Sequence, residues 1–150
     1  MAEKLFPVFD VPAELVDTDD TNGWYRPAPL FDVEKGDFVT DGSGRVLYGS
    51  GRDAWILWCT KTAAIERFAY LGYDSEIGAE IDGSFKEPDR GSQESEIERT
   101  VTEALLADPM GRTQQVQDFD FVWGSDSLEI SCTVIGSDGD TASINLQLKT

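Results

Sequence analysis

Through the last part of the chain apolar and polar side chains take turns with a period of two, and this pattern restricts the fold more than any other feature. Phe119, Phe121 and Trp123 alternate with Asp120 and Val122. Leu128, Ile130, Cys132 and Val134 alternate with Glu129, Ser131, Thr133 and Ile135. Ala142, Ile144, Leu146 and Leu148 alternate with Ser143, Asn145, Gln147 and Lys149. Successive side chains point to opposite faces in an extended strand. Gly124-Ser125-Asp126 and Gly136-Ser137-Asp138-Gly139 supply the turns between the runs. Three such strands form a meander with one apolar face and one wet face. The apolar face needs a cover, and only upstream segments can provide it.

Two stretches have the periodicity to do so. Residues 52–70 read as a first helix. Trp55, Ile56, Leu57, Trp58, Ala64, Ile65 and Phe68 fill most of its surface, while Asp53, Thr60 and Arg67 recur every seven positions and mark a narrow wet stripe. A helix this apolar is expected to be covered on most sides, as the central post of the fold. Ser50 or Asp53 is its candidate cap, and Leu71-Gly72-Tyr73 its end. Residues 92–108 read as a second helix, started by Ser95 with Glu98 as a capping box or by Ser92. Its apolar face is Ile97, Val101, Ala104 and Leu105, and Pro109 stops it. The expected fold is α+β: two main helices packed on a mostly antiparallel sheet that ends in a three-stranded C-terminal meander.

The first half adds a hairpin and an arm. Leu30 to Val33 and Phe38-Val39 read as short strands around the Glu34-Lys35-Gly36 turn. Asp41-Gly42-Ser43-Gly44 is hairpin chemistry, with Arg45 to Tyr48 returning. Residues 74–81 read as a short strand or loop and residues 82–92 as a loop. Residues 1–23 form an extended N-terminal arm, because Pro7 and Pro12 interrupt Phe6, Val8, Phe9 and Val11. The arm packs on its own domain or waits for a neighbour. Residues 24–150 form the one α+β domain, long enough to bury roughly 70% of its unfolded surface.

Composition then excludes function classes. The formal charge is −17, with 12 basic and 29 acidic residues. Binding to nucleic acid depends on Lys and Arg neutralising phosphates, so no nucleic acid is expected as a partner. An acidic membrane surface repels the chain as well, and no apolar run approaches the ~20 residues needed to span a bilayer. The start, Met1-Ala2-Glu3-Lys4-Leu5-Phe6-Pro7, has no signal-peptide pattern, so folding in the cytoplasm is expected. There is no histidine, which removes the commonest general base and metal ligand. Cys59 and Cys132 lie far apart and read as small buried hydrophobes, so neither zinc nor any other cofactor is expected.

Catalytic patterns are missing too. No phosphate-binding glycine loop appears, and Ser or Thr lacks a His partner for a triad. Asp17-Thr18-Asp19-Asp20 and Asp138-Gly139-Asp140 resemble fragments of calcium loops without the bidentate Glu. They read as solvated loop acids. Glu66 is followed at once by Arg67, which would lower its pKa if the two met, the wrong direction for a general acid. An enzyme is not expected. Glu66-Arg67 and Asp108-Pro109, with Arg112 beyond, remain as the candidate sites. Each has a plain structural reading, a helix-end ion pair for the first and helix termination for the second.

The order of these short motifs resembles the lysozyme-like-named baseplate wedge family of contractile phage tails. The likeness is greatest to its XkdS-like branch in PBSX-type prophages and tailocins. Ile65-Glu66-Arg67 stands in the family's Gly-Glu-Arg segment, and Tyr73 to Gly78 in the aromatic-glycine stretch. Asp108-Pro109-Met110-Gly111-Arg112 stands where Glu-Pro-Arg is expected. Leu5 to Pro12, the Phe31-to-Gly44 hairpin and Glu96-Ile97-Glu98-Arg99 are also similar. The resemblance implies a structural subunit of the baseplate, assembled in the bacterial host cytoplasm into a virion or tailocin. Its partners would be wedge proteins, other baseplate subunits and the tail sheath protein. Its fold would resemble the sheath domain and template the first sheath ring by strand addition. Glu66, Arg67, Asp108, Pro109 and Arg112 would form the partner interface as a charged joint. An acidic DNA-mimic inhibitor is the alternative, but acids spread over arm, loops and helix faces argue against it.

Overall fold

The computed structural model describes residues 27–32 and 35–149. In chain order the elements are β1 (Phe31–Asp32), β2 (Asp37–Phe38), α1 (Gly51–Ala64), α2 (Ile81–Ser84), α3 (Arg90–Leu106), β3 (Thr113–Trp123), β4 (Ser127–Gly136) and β5 (Thr141–Lys149). The expected arm, residues 1–23, and the Asp17-to-Asp20 acids lie outside the described residues.

The C-terminal alternation becomes an antiparallel sheet in the order β3-β4-β5. Phe121 pairs with Ile130 and Trp123 with Leu128, while Ile130 faces Leu146 and Cys132 faces Ile144. One face therefore collects Leu128, Ile130, Cys132, Val134, Ala142, Ile144 and Leu146, all buried. Glu129, Ser143, Asn145 and Gln147 stand exposed on the other face. Both cysteines are free and buried. Burial pushes the Cys59 thiol up to about 12 and the Cys132 thiol up to about 11. Strand β3 starts earlier than expected, at Thr113, and its register with β4 shifts between Gln117 and Asp120. Asp118, at φ 54, sits in that bulge.

Helices α1 and α3 cover the apolar face. Trp55, Ile97, Val101 and Leu105 are fully buried against it. The Trp55 indole donates to Thr113 Oγ1 at 3.0 Å, so burying the ring leaves its N–H satisfied. Both candidate caps of the first helix are used together. Ser50 is the N-cap and accepts from the Asp53 amide, and the Asp53 carboxylate accepts from the Ser50 amide.

Three expectations need correction. Helix α1 stops at Ala64, six residues before Tyr70, because Ile65 turns extended and Glu66 bridges Ala79 in parallel. Arg67 thus lies beyond the helix and off the expected wet stripe. The helix is also no central post covered on most sides: Ala54, Trp55, Cys59, Thr62 and Ala63 are buried, whereas Ile56, Leu57 and Trp58 are half-buried. Helix α3 starts at Arg90, not near Ser92 or Ser95. Asp89 caps it, accepting from the Ser92 amide and hydroxyl. Within the expected 82–92 loop, residues 82–84 belong to the short helix α2. The hairpin stands as expected. Asp41 accepts from the Ser43 and Arg45 amides, and Leu47 donates to the Val39 carbonyl.

Candidate functional site

The five residues singled out from sequence form two separate fasteners. The first closes the turn after α3. Asp108 is buried and its carboxylate collects four hydrogen bonds. Oδ1 accepts from the Met110 amide at 3.1 Å and Arg112 Nη2 at 2.9 Å. Oδ2 accepts from the Arg112 amide at 3.0 Å and Arg112 Nε at 2.7 Å. This forked geometry is the strong form of an ion pair. Pro109 enters the turn without an N–H to satisfy, and Gly111 takes φ 63. The Arg112 guanidinium also lies 5.2 Å from the centre of the Trp58 ring. Its carbonyl accepts from the Ser137 amide, tying this turn to the one between β4 and β5.

The second fastener holds an elbow after α1. Glu66 Oε2 accepts from the Ile81 and Asp82 amides at 3.0 and 3.2 Å, supplying the start of α2 with the cap its own Glu80 does not give. Arg67 Nε donates to the Gly78 carbonyl at 3.0 Å, and Nη1 reaches Glu80 at 3.5 Å. The side chains of Glu66 and Arg67 thus go to different partners. Gly78 permits the approach: at φ 105 a side chain would meet the Ile65 carbonyl oxygen at 2.7 Å. Among the described residues no hydrogen bond or ion pair joins this fastener to Asp108–Arg112.

Beside them lies a surface that the sequence reading noted as the end of the first helix and an aromatic-glycine stretch but did not include in the partner interface. Leu71 is fully exposed at 108%, Phe68 is 72% exposed and Tyr70 is 61% exposed. Phe68 takes φ 67, which a bulky residue rarely does. The Tyr70 and Tyr73 rings meet edge to face at 5.8 Å. Tyr73 also lines a cleft of about 380 Å³ with Trp58, Ile77, Met110 and the basic Lys61 and Arg112. The signal was present as the run Phe68-Ala69-Tyr70-Leu71-Gly72-Tyr73. Read as a helix end, the run promised burial rather than exposure.

The sheet offers another candidate surface, because β3 and β5 are both edges. They differ. Strand β3 carries the Asp118 bulge and Asp120. Strand β5 pairs with β4 without a register shift from Ser127–Lys149 to Ile135–Thr141. From Thr141 to Leu148 it has no charge, proline or glycine. Bulges and charges blunt an edge; β5 has no bulge, and at its Thr141 end the Arg52 guanidinium donates to the Thr141 carbonyl at 2.6 Å. A hollow of about 640 Å³ is lined by Thr60 and Ala64 of α1 and by all three strands, with Asp120 and Val122 of β3, Glu129 to Ser131 of β4 and Asn145 to Leu148 of β5.

Residues 29–139 match the model of the contractile injection system sheath initiator family. That span takes in both fasteners, the exposed elbow and strands β3 and β4. No curated protein matches the chain. A fold of two helices on an antiparallel meander with edges at β3 and β5 carries this match, and by its extent the chain belongs to the contractile injection system sheath initiator family.

Proposed function

We propose that this chain sits in the baseplate wedge of a contractile tail or tailocin, joins the wedge proteins there, and templates the first sheath ring by accepting a strand along β5. Membership of the family carries the coarser statement, a role in initiating contractile sheath assembly. The single observation that supports strand addition is the contrast between the two sheet edges. An unpaired edge presents a row of N–H and C=O groups to an incoming strand, and main-chain hydrogen bonds then hold it. Strand β5 is nine residues long and in regular register, whereas β3 is bulged and acidic.

The same reading makes the protein a structural component and not an enzyme. Its two thiols are buried and shifted away from the reactive thiolate. Glu66 Oε2 accepts from two amides, and the Asp108 carboxylate accepts from two amides and a guanidinium. Among the described residues no group of three or more His, Cys, Asp or Glu could hold a metal. No helix among them is long and apolar enough to cross a membrane. The −17 charge disfavours nucleic acid as a partner. The branch assignment, XkdS-like proteins of PBSX-type prophages and tailocins, rests on the motif order given above.

The test is sheath assembly on baseplates carrying Ser143→Lys with Asn145→Lys. Both positions are exposed on β5, and lysine on an edge strand opposes pairing. The variant is expected to enter baseplates at the normal level and to start no sheath. Sheath of normal length and frequency in electron micrographs would overturn strand addition at β5.

A further inference from the structure

We infer that residues 14–25 of this same chain bind the cleft on α1, with Trp24 and Tyr25 against its apolar lining and Asp17, Asp19 and Asp20 about Lys61. The occupant is intramolecular, so the inference stands apart from strand addition at β5.

One face of α1 lines the cleft. Ala54, Leu57, Trp58, Lys61, Thr62 and Ile65 all border it. They follow one another at i, i+3, i+4, i+7, i+8 and i+11, the spacing of a helix stripe that packs against something. The described residues leave Leu57 and Trp58 only half-buried. Covering this face would give α1 the enclosure that its apolar sequence calls for.

Connectivity selects the occupant. Pro27 and Ala28 also border the cleft, so the chain that precedes them starts at its rim. The Ala28 carbonyl accepts from the Gly49 amide at 2.9 Å and Pro29 bridges Tyr48, which pins this entry beside the start of α1. Asp20 lies seven residues before Pro27, and an extended chain of that length reaches about 25 Å at most. From Ala54 to Lys61 the helix rises only about 10 Å. A tether this short raises the local concentration of the segment to the order of millimolar.

Charge agrees with connectivity. Among the described residues Lys61 and Arg112 line the cleft and no acid does. Arg112 is matched by Asp108, whereas no ion pair among the described residues engages Lys61. Residues 14–25 hold four acids, Glu14, Asp17, Asp19 and Asp20, and no base. The larger hollow over the sheet has the opposite character, with Asp120 and Glu129 in its lining and no Lys or Arg, so it repels the same segment. Trp24 and Tyr25 stand next to the tether and supply the large apolar area that aromatic rings bury.

The experiment treats the purified full-length protein, mixed with an isotope-labelled copy, with a carbodiimide that joins a carboxylate to an amine in direct contact. Mass spectrometry is expected to find Lys61 joined to Asp17, Asp19 or Asp20 within single chains. Lys61 bonds formed mainly between labelled and unlabelled chains would overturn the inference in favour of a second copy. Absence of a bond at Lys61, or equal bonding of these acids to Lys86 and Lys149, would also overturn it. Chymotrypsin cleavage after Trp24 and Tyr25 supplies a second readout. Lys61→Gln, and separately Asp19→Asn with Asp20→Asn, should each speed that cleavage at least threefold. The second variant alters no residue of the described domain. Cleavage at the unaltered rate in either variant would overturn the inference.

Discussion

Asp108 and Arg112 are four residues apart and almost wholly withdrawn from water, with side-chain exposures of 0% and 10%. Removing one partner leaves a charge buried without compensation, which typically costs about 3–5 kcal/mol. Arg112→Ala should therefore lower the unfolding free energy obtained from urea titration by an amount in that range. Asp108→Ala with Arg112→Ala should destabilise by clearly less than the sum of the two single changes, which a double-mutant cycle would measure. These residues were legible as special in the sequence, since an acid, a proline and an arginine cluster where a helix stops. Their partners were not. Four bonds on one carboxylate depend on the path of the Met110-Gly111 turn, and residue spacing does not fix that path. Likewise, the adjacency of Glu66 and Arg67 suggested a joint pair, yet the folded chain sends one to α2 and the other to Gly78. The charges make bonds within the molecule.

The elements differ in how much of them local sequence determines. Strand parity was readable because a period of two in side-chain type is a property of each strand by itself. The end of α1 was not. Ala64, Ile65, Phe68 and Leu71 continue a helical apolar pattern, and the chain leaves the helix for a bridge to Ala79, thirteen residues beyond Glu66. A nonlocal pairing overrode local propensity. The start of α3 differs from the sequence expectation for a smaller reason: Asp89 bonds the same Ser92 that the sequence offers as a possible cap. Capping carboxylates also give the helices a pH dependence. The Ser50 hydroxyl and amide hold the Asp53 carboxyl below its ordinary 3.8, and the Ser92 amide and hydroxyl do the same for Asp89. A lowered folded pKa means that the stabilisation is complete above 3.8 and is lost as pH falls through the folded values. Thermal melts should therefore show a loss of stability in that acid interval. Asp53→Asn, which keeps an acceptor but cannot ionise, should flatten part of it.

At the scale of the whole molecule, the acidic surface and the meander suit a component that is soluble alone and selective in what it joins. The proposed joint along the outer edge of β5 would add backbone to backbone. The fold class followed from patterning, whereas the unequal protection of the two edges needed the bulge at Asp118 to be seen. If sheath growth begins when a strand pairs with β5, as proposed, hydrogen exchange of residues 141–149 in purified baseplates, followed before and after sheath protein is added, should show the β5 amides gaining protection as sheath polymerises. Sheath that polymerises while β5 exchange stays unchanged would rule out that pairing.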